Sequence, residues 1–399
     1  MKSKIIYIFF IGEILFPSIA LTAPLDEFLT ATHGFEPWHG EGEVGMDVMN
    51  SSVDIFKMRE NKTNVGGSSI GDYTGGHVRG GLALTRRLWV DGAAWSRKIT
   101  TPYDKGESLT LQGGAQFQVT QPFGWFPAVA LRMSAWRDSS SEAVKASPSS
   151  ITMAGASTTA DKIRVEQPYD EQVQLDLIST WQMSHNSTFS TFLSYGKSKV
   201  DFENLYVTNL KNVQVNSWKG NANGEFKVLM YEDGSKTGVQ LTCMSANCSV
   251  SMGRENGDYL NATYPNSADL PRLPVTSSTV PEGLNIGYDA NYYQLGGMYS
   301  WYTPQWRTRL GYRYMKLNRD LDPAVTQAGK ALIDSNHFLS GEVGYKPPFK
   351  MFEHIGLFVR GQLMMNQFVG ELPFTYNLFS AHKFDSRYGL VTFGVTGGF

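Results

Sequence analysis

Arginine recurs in segments that are otherwise apolar: Arg79, Arg132, Arg307, Arg309, Arg313 and Arg360 adjoin Val78, Leu131, Trp306, Leu310, Tyr312 and Val359. Gln112, Gln116, Gln172 and Gln174 recur at even spacings too, and Asp176 and Glu342 add opposite charge. Residues two apart on a strand share a face, so these side chains form a polar stripe opposite an apolar one. Guanidinium groups around the inner wall of a closed sheet bias passage toward anions. Arginines facing carboxylates across such a space also set up a transverse field that orders water. The competing arrangement is a packed interior in which the charges pair off.

Other residue types offer less. Cys243 and Cys248 are the only cysteines and lie close together in a polar stretch, as expected of a small-loop disulfide formed in an oxidising compartment. With no second cysteine pair and no histidine nearby, a zinc site there is not expected. Gly40, Gly42 and Gly45 fit a dinucleotide-binding pattern, but no helix follows, and Glu41 and Glu43 would repel a pyrophosphate. Gly67, Ser69 and Gly71 fit a nucleophile-elbow pattern without the strand-to-helix turn that strains the serine. His33, Glu36, His39 and Glu41 could form a weak metal cluster, though a solvated segment explains them better. No catalytic residue, cofactor or metal is expected.

Lys2 and Lys4, the apolar run Ile5 to Leu15, and the small residues Ser18 and Ala20 have the layout of a cleaved signal peptide spanning 1–20. Basic and acidic residues number 35 and 37, so nucleic acid is an unexpected partner. A mean hydropathy of -0.26 excludes a bundle of membrane helices. Charged residues make up only 18% of the chain, against about 25% in soluble domains.

Beyond the signal, period-two alternation dominates, so the chain reads as all-β. From 108 to 119, Leu109, Leu111, Ala115, Phe117 and Val119 oppose Ser108, Thr110, Gln112, Gln116 and Gln118. Twelve strands are expected near 44–57, 76–85, 89–99, 107–119, 127–138, 170–181, 187–200, 288–302, 305–319, 335–346, 354–368 and 386–399. Short turns such as Gln121-Pro122 and Thr303-Pro304 alternate with long connections at 58–75, 139–169, 201–287, 320–334 and 369–385. The strands reach the length that crosses a bilayer at a tilt, which favours an antiparallel up-and-down barrel over a soluble sandwich. Tryptophans near strand ends, including Trp89, Trp95, Trp125, Trp136 and Trp306, suggest interfacial belts. The 201–287 excursion should hold structure of its own, with Asp233-Gly234 marking a hairpin next to the cysteines. If that hairpin joined the barrel, the count would be fourteen.

The last segment, Ser386 to Phe399, alternates Val391, Phe393 and Val395 and ends in phenylalanine. It resembles the C-terminal strand of Gram-negative outer-membrane β-barrels, in which the terminal aromatic, here Phe399, is the signal read by the barrel-assembly machinery. The resemblance covers about 43–399 and implies contact with outer-membrane lipid and lipopolysaccharide, a periplasmic segment over 21–42, short periplasmic turns, long extracellular loops and a possible homo-oligomer. Neither a TonB-type plug domain nor an autotransporter passenger is expected. His337 follows Ser335-Asn336 but lacks the Asn-His-x-Ser-Asn arrangement of outer-membrane phospholipases. The expected function is a channel for passive or weakly anion-selective diffusion of small hydrophilic solutes. Its lining would be Arg79, Gln112, Gln116, Arg132, Asp176, Arg307, Arg309, Arg313, Glu342 and Arg360. A secretion or surface-assembly pore, an adhesin-like surface-binding barrel and a lipid hydrolase are the alternatives.

Overall fold

A computed structural model describes residues 28–32, 37–50, 72–100, 105–145, 148–153, 156–215, 217–233, 236–270, 273–274, 287–320, 334–348, 354–365 and 388–398. The expected signal peptide, the Gly67 to Gly71 motif, His33, Glu36 and Phe399 lie outside these residues.

Alternating apolar and polar side chains build the twelve strands of the barrel. They are β1 (Gly40–Met49), β2 (Asp72–Ala83), β3 (Leu88–Thr100), β4 (Lys105–Thr120), β5 (Ala128–Ser139), β9 (Tyr169–Ser184), β10 (Ser187–Asp201), β17 (Tyr288–Tyr302), β18 (Trp306–Asp320), β19 (Ser335–Tyr345), β20 (Ile355–Met364) and β21 (Tyr388–Gly398). Each pairs antiparallel with the next, and β21 returns to β1 with Val44 opposite Val395, so the barrel is closed. The fourteen-strand alternative is excluded, because β10 bonds directly to β17 from Ser187↔Trp301 to Val200↔Tyr288. The turns after β2, β4, β9, β17 and β19 share one end with Gly40 and Gly398, the turn end. The connections after β1, β3, β5, β10, β18 and β20 share the opposite, loop end.

The two faces separate as the alternation requires. Val44, Leu111, Met133, Leu175, Leu295 and Leu310 point outward and are exposed. A continuous apolar band of this kind on a closed barrel faces lipid. Trp125 stacks on Phe126 and Trp306 packs on Tyr345 at the turn end, as an interfacial belt requires. Trp89 and Trp95 depart from the sequence reading: both are buried inside the barrel. Gly81 makes this possible for Trp89, since a Cβ there would enter the indole ring. Gly81→Ala is expected to cost about 1–3 kcal/mol through this overpacking, measured as a lower urea midpoint of the folded barrel in detergent.

The remaining strands leave the barrel. They are β6 (Glu142–Lys145), β7 (Ser149–Met153), β8 (Ala156–Glu166), β11 (Asn204–Val215), β12 (Trp218–Asp233), β13 (Lys236–Cys243), β14 (Asn247–Arg254), β15 (Tyr259–Pro265) and β16 (Leu273–Pro274). Their sheet runs β15-β14-β12-β11-β8-β6, with β13 bonded to β12 and β16, and β7 to β8. One face buries Val165, Val207, Leu210, Phe226, Val239 and Val250 against Val200 of β10, so the sheet is seated on the loop end. The hairpin read from Asp233-Gly234 joins β12 to β13, and the Cys243–Cys248 disulfide ties β13 to β14. The contribution of 142–166 was not foreseen. Its strands carry Ser, Thr and Ala, which alternate too weakly to stand out from a polar loop.

Candidate functional site

The inner wall near the turn end carries a charge layer assembled by strand register. Arg309, Glu342 and Arg360 lie directly opposite one another across β18, β19 and β20. Glu342 accepts hydrogen bonds from Arg309 Nη2 at 2.7 Å, Arg307 Nη2 at 2.7 Å and Arg360 Nη2 at 2.7 Å. Glu43 of β1 sits opposite Arg79 of β2 and accepts from its Nη2 at 2.7 Å. Arg360 reaches past β21 to Glu43 at 2.9 Å and so links the two groups across the barrel's closure. His77 continues the chain, with Nε2 at 2.9 Å from Glu43 and Nδ1 at 3.1 Å from Asp47, while Thr392 donates to Asp47 at 2.5 Å. Burial strengthens these pairs, because little water competes for the charges.

The other wall uses the same logic. Arg132 of β5 clasps Asp91 of β3, with Nη2 2.9 Å from Oδ1, by passing over Gly114 of the intervening β4. A Cβ at Gly114 would meet the guanidinium at 2.6 Å, so only glycine leaves this crossing open. Arg97 lies 3.6 Å from Asp138, and Thr110 bonds both. Gln174 donates to Asp176 at 2.7 Å and accepts from Tyr292 at 3.1 Å and Gln294 at 3.0 Å. The guanidinium of Arg313 lies 4.3 Å over the Phe338 ring. At the loop end the wall turns apolar, where Met49, Tyr73, Tyr292, Met315, Leu317, Phe338, Met364 and Leu390 pack together.

Of the residues named from sequence, Arg79, Gln112, Gln116, Arg132, Asp176, Arg309, Arg313, Glu342 and Arg360 are all buried on the inner wall, and Arg307 is part-buried at the turn end. Their partners were missed. Glu41, Glu43, Asp47, Asp91, Asp138 and Asp170 face the same interior, and none of them was among the residues read from the sequence as lining it. The signal existed in β1, where Glu43 and Asp47 alternate with Val44, Met46 and Val48. The arginines are thus paired rather than arranged as a bare ring. Among the described residues no group of His, Cys, Asp and Glu has metal-binding geometry, and His39 simply faces Glu41 at 3.7 Å.

In the loop-end sheet, Tyr206 donates to Glu166 at 2.6 Å and Asn204 donates to it at 2.9 Å. Burial, and then this carboxylate, push the Tyr206 hydroxyl up to about 12. A value raised above the ordinary tyrosine range gives stability that is complete below about pH 10 and lost as pH rises through the folded value. Limited proteolysis of the sheet at stepped pH should therefore show a loosening between those limits that Tyr206→Phe removes.

No protein-family model matches the chain, and no curated protein matches it. Solved structures similar to it include the CymD monoaromatic hydrocarbon channel, at 13% identity and a TM-score of 0.38, covering 91% of this chain and 89% of that one. The NanC porin is similar at 8% identity and a TM-score of 0.37, covering 90% and 98%. A Pseudomonas aeruginosa FadL homologue is similar at 9% identity and a TM-score of 0.36, covering 91% and 90%. At such distances nothing about their solutes carries over. The architecture itself, a closed antiparallel barrel with an apolar outer band and a polar inner wall, is that of an outer-membrane β-barrel.

Proposed function

We propose that the chain is an outer-membrane channel, closed at rest, that passes small hydrophilic solutes with a weak preference for anions. The observation that carries this is the polar inner wall, which extends from the turn end up to the apolar cluster at the loop end. On β4 alone Ser108, Thr110, Gln112, Gln116 and Gln118 are all buried and inward. An interior that only had to fill space would be at least as stable with apolar side chains, since buried ion pairs rarely outperform them. Ser134 Oγ, Gln172 Oε1 and Gln294 Oε1 have no protein hydrogen bond among the described residues. Buried polar atoms of this kind need a partner, which water entering a narrow lumen would supply. The guanidinium groups of Arg79, Arg307, Arg309 and Arg360 around Glu43 and Glu342 support the anion preference.

The test is the reversal potential across planar bilayers in a potassium chloride gradient. Replacing Arg307, Arg309 and Arg313 by Gln should shift it toward cation preference. An unchanged potential in conducting channels would refute the arginine lining. A second reading, a barrel that displays a binding surface, draws support from the loop-end sheet with its own core. Removing residues 204–274 separates the two, because conductance should change if the sheet overlies the path and stay constant if it only displays a surface.

A further inference from the structure

Residues Phe28–Thr32, which precede the first barrel strand, lie inside the lumen near the turn end and bridge its opposite walls. Phe28 is wholly buried, its ring 4.3 Å from the Arg309 guanidinium and 5.7 Å from that of Arg360. Leu29 and Ala31 face the other way and pack with Ala128 and Ala130 of β5, Ile178 of β9 and Phe192 of β10. Polar contacts fix the backbone: Ala31 N donates to Thr180 Oγ1 at 2.8 Å, and Gln116 Nε2 donates to Thr30 O at 3.0 Å. The wall is shaped for this occupant. Inward positions elsewhere on β5 and β9 carry Arg132, Ser134, Asp138, Asp170 and Asp176, yet beside Leu29 and Ala31 they carry alanine and isoleucine.

We propose that Phe28–Thr32 is a displaceable plug, held in cis in a lumen site formed by Arg309, Arg360, Thr180 and Gln116, and that solute passes only when it leaves. The proposal rests on the channel reading. The segment belongs to no strand, and residues 33–37 link it to Trp38, whose backbone N donates to Ala83 O of β2, a span that reaches roughly 17 Å when extended. A small cleft lined by Ala31, Arg86, Arg87 and Gln118 lies beside it at the turn end. The Phe28 ring covers the face of the Arg309 guanidinium while Glu342 holds its edge, so an anion arriving in the lumen competes with Phe28 for the open face of that group. Release of the plug and entry of an anion are therefore coupled.

Thr30 Oγ1 and Thr180 Oγ1 lie 3.3 Å apart, which suits a cysteine pair at these positions. The full-length Thr30→Cys, Thr180→Cys protein should cross-link on oxidation, fall silent in planar bilayers and recover with reductant, with wild type under the same reagents as control. Phe28→Ala should raise the open fraction several-fold. A cross-linked barrel that conducts as wild type does, a pair that never cross-links in the folded barrel, or a Phe28→Ala variant with wild-type openings would each overturn the plug. If wild type and variants alike never conduct, the channel reading fails and the gating role falls with it, while cross-linking still reports where the segment sits.

Discussion

The Glu342→Gln variant is expected to lose about 3–5 kcal/mol of barrel stability, the range for breaking a buried charge pair by removing one partner. Glu342 accepts from Arg307, Arg309 and Arg360, and its side chain is completely buried. Glutamine keeps the shape and one acceptor but leaves the guanidinium groups of Arg307, Arg309 and Arg360 without this carboxylate, while Glu43 already pairs with Arg79, and arginine cannot shed its proton. The loss should appear as a lower urea midpoint for the folded barrel in detergent. A parallel change at the Lys98 to Glu107 pair, whose side chains are 48% and 65% exposed, gives the scale for an ion pair in solvent, at most about 1 kcal/mol. If Glu342→Gln and Lys98→Ala shift the midpoint equally, the charge layer is wetter and looser than described. Any water drawn in beside the unbalanced arginines should also raise conductance, so the two readouts are expected to move together.

Phe226→Ala is expected to cost the loop-end sheet about 3–5 kcal/mol, the range for emptying a buried aromatic site. Phe226 has no exposed surface and packs at the centre of the cluster with Val165, Val207, Leu210 and Leu241. The barrel strands pair with one another independently of this core, from β5 to β9 and from β10 to β17. The variant should therefore become sensitive to protease between 204 and 265 while the barrel resists. Simultaneous loss of both would show that the sheet holds the barrel together rather than resting on it.

Much of the barrel was legible because its physics is local. A strand that meets lipid on one face and a polar interior on the other must alternate, and Leu109 to Val119 on β4 does so without interruption. The excursion was legible only in part. Asp233-Gly234 marked its hairpin, but whether β11 to β15 joined the barrel depended on partners far away in the chain. The β10 to β17 and β11 to β8 pairings settle that, and no local pattern encodes them. The charge layer was legible by half. Arginines stood out against apolar neighbours, but their pairing depends on cross-strand register and on closure, since Arg360 meets Glu43 across a separation of 317 residues. The lumen segment had almost no signal. Five residues without periodicity mark nothing, and only the inward Ala128, Ala130 and Ile178, apolar where polar residues were due, hinted that something packs there.

Single-channel recording from the purified, folded wild-type barrel in planar bilayers tests the central claim most directly. A closed lumen with a hydrated path should give a silent baseline broken by discrete, uniform steps. Silence at every voltage, from protein shown to be folded and inserted, would contradict it.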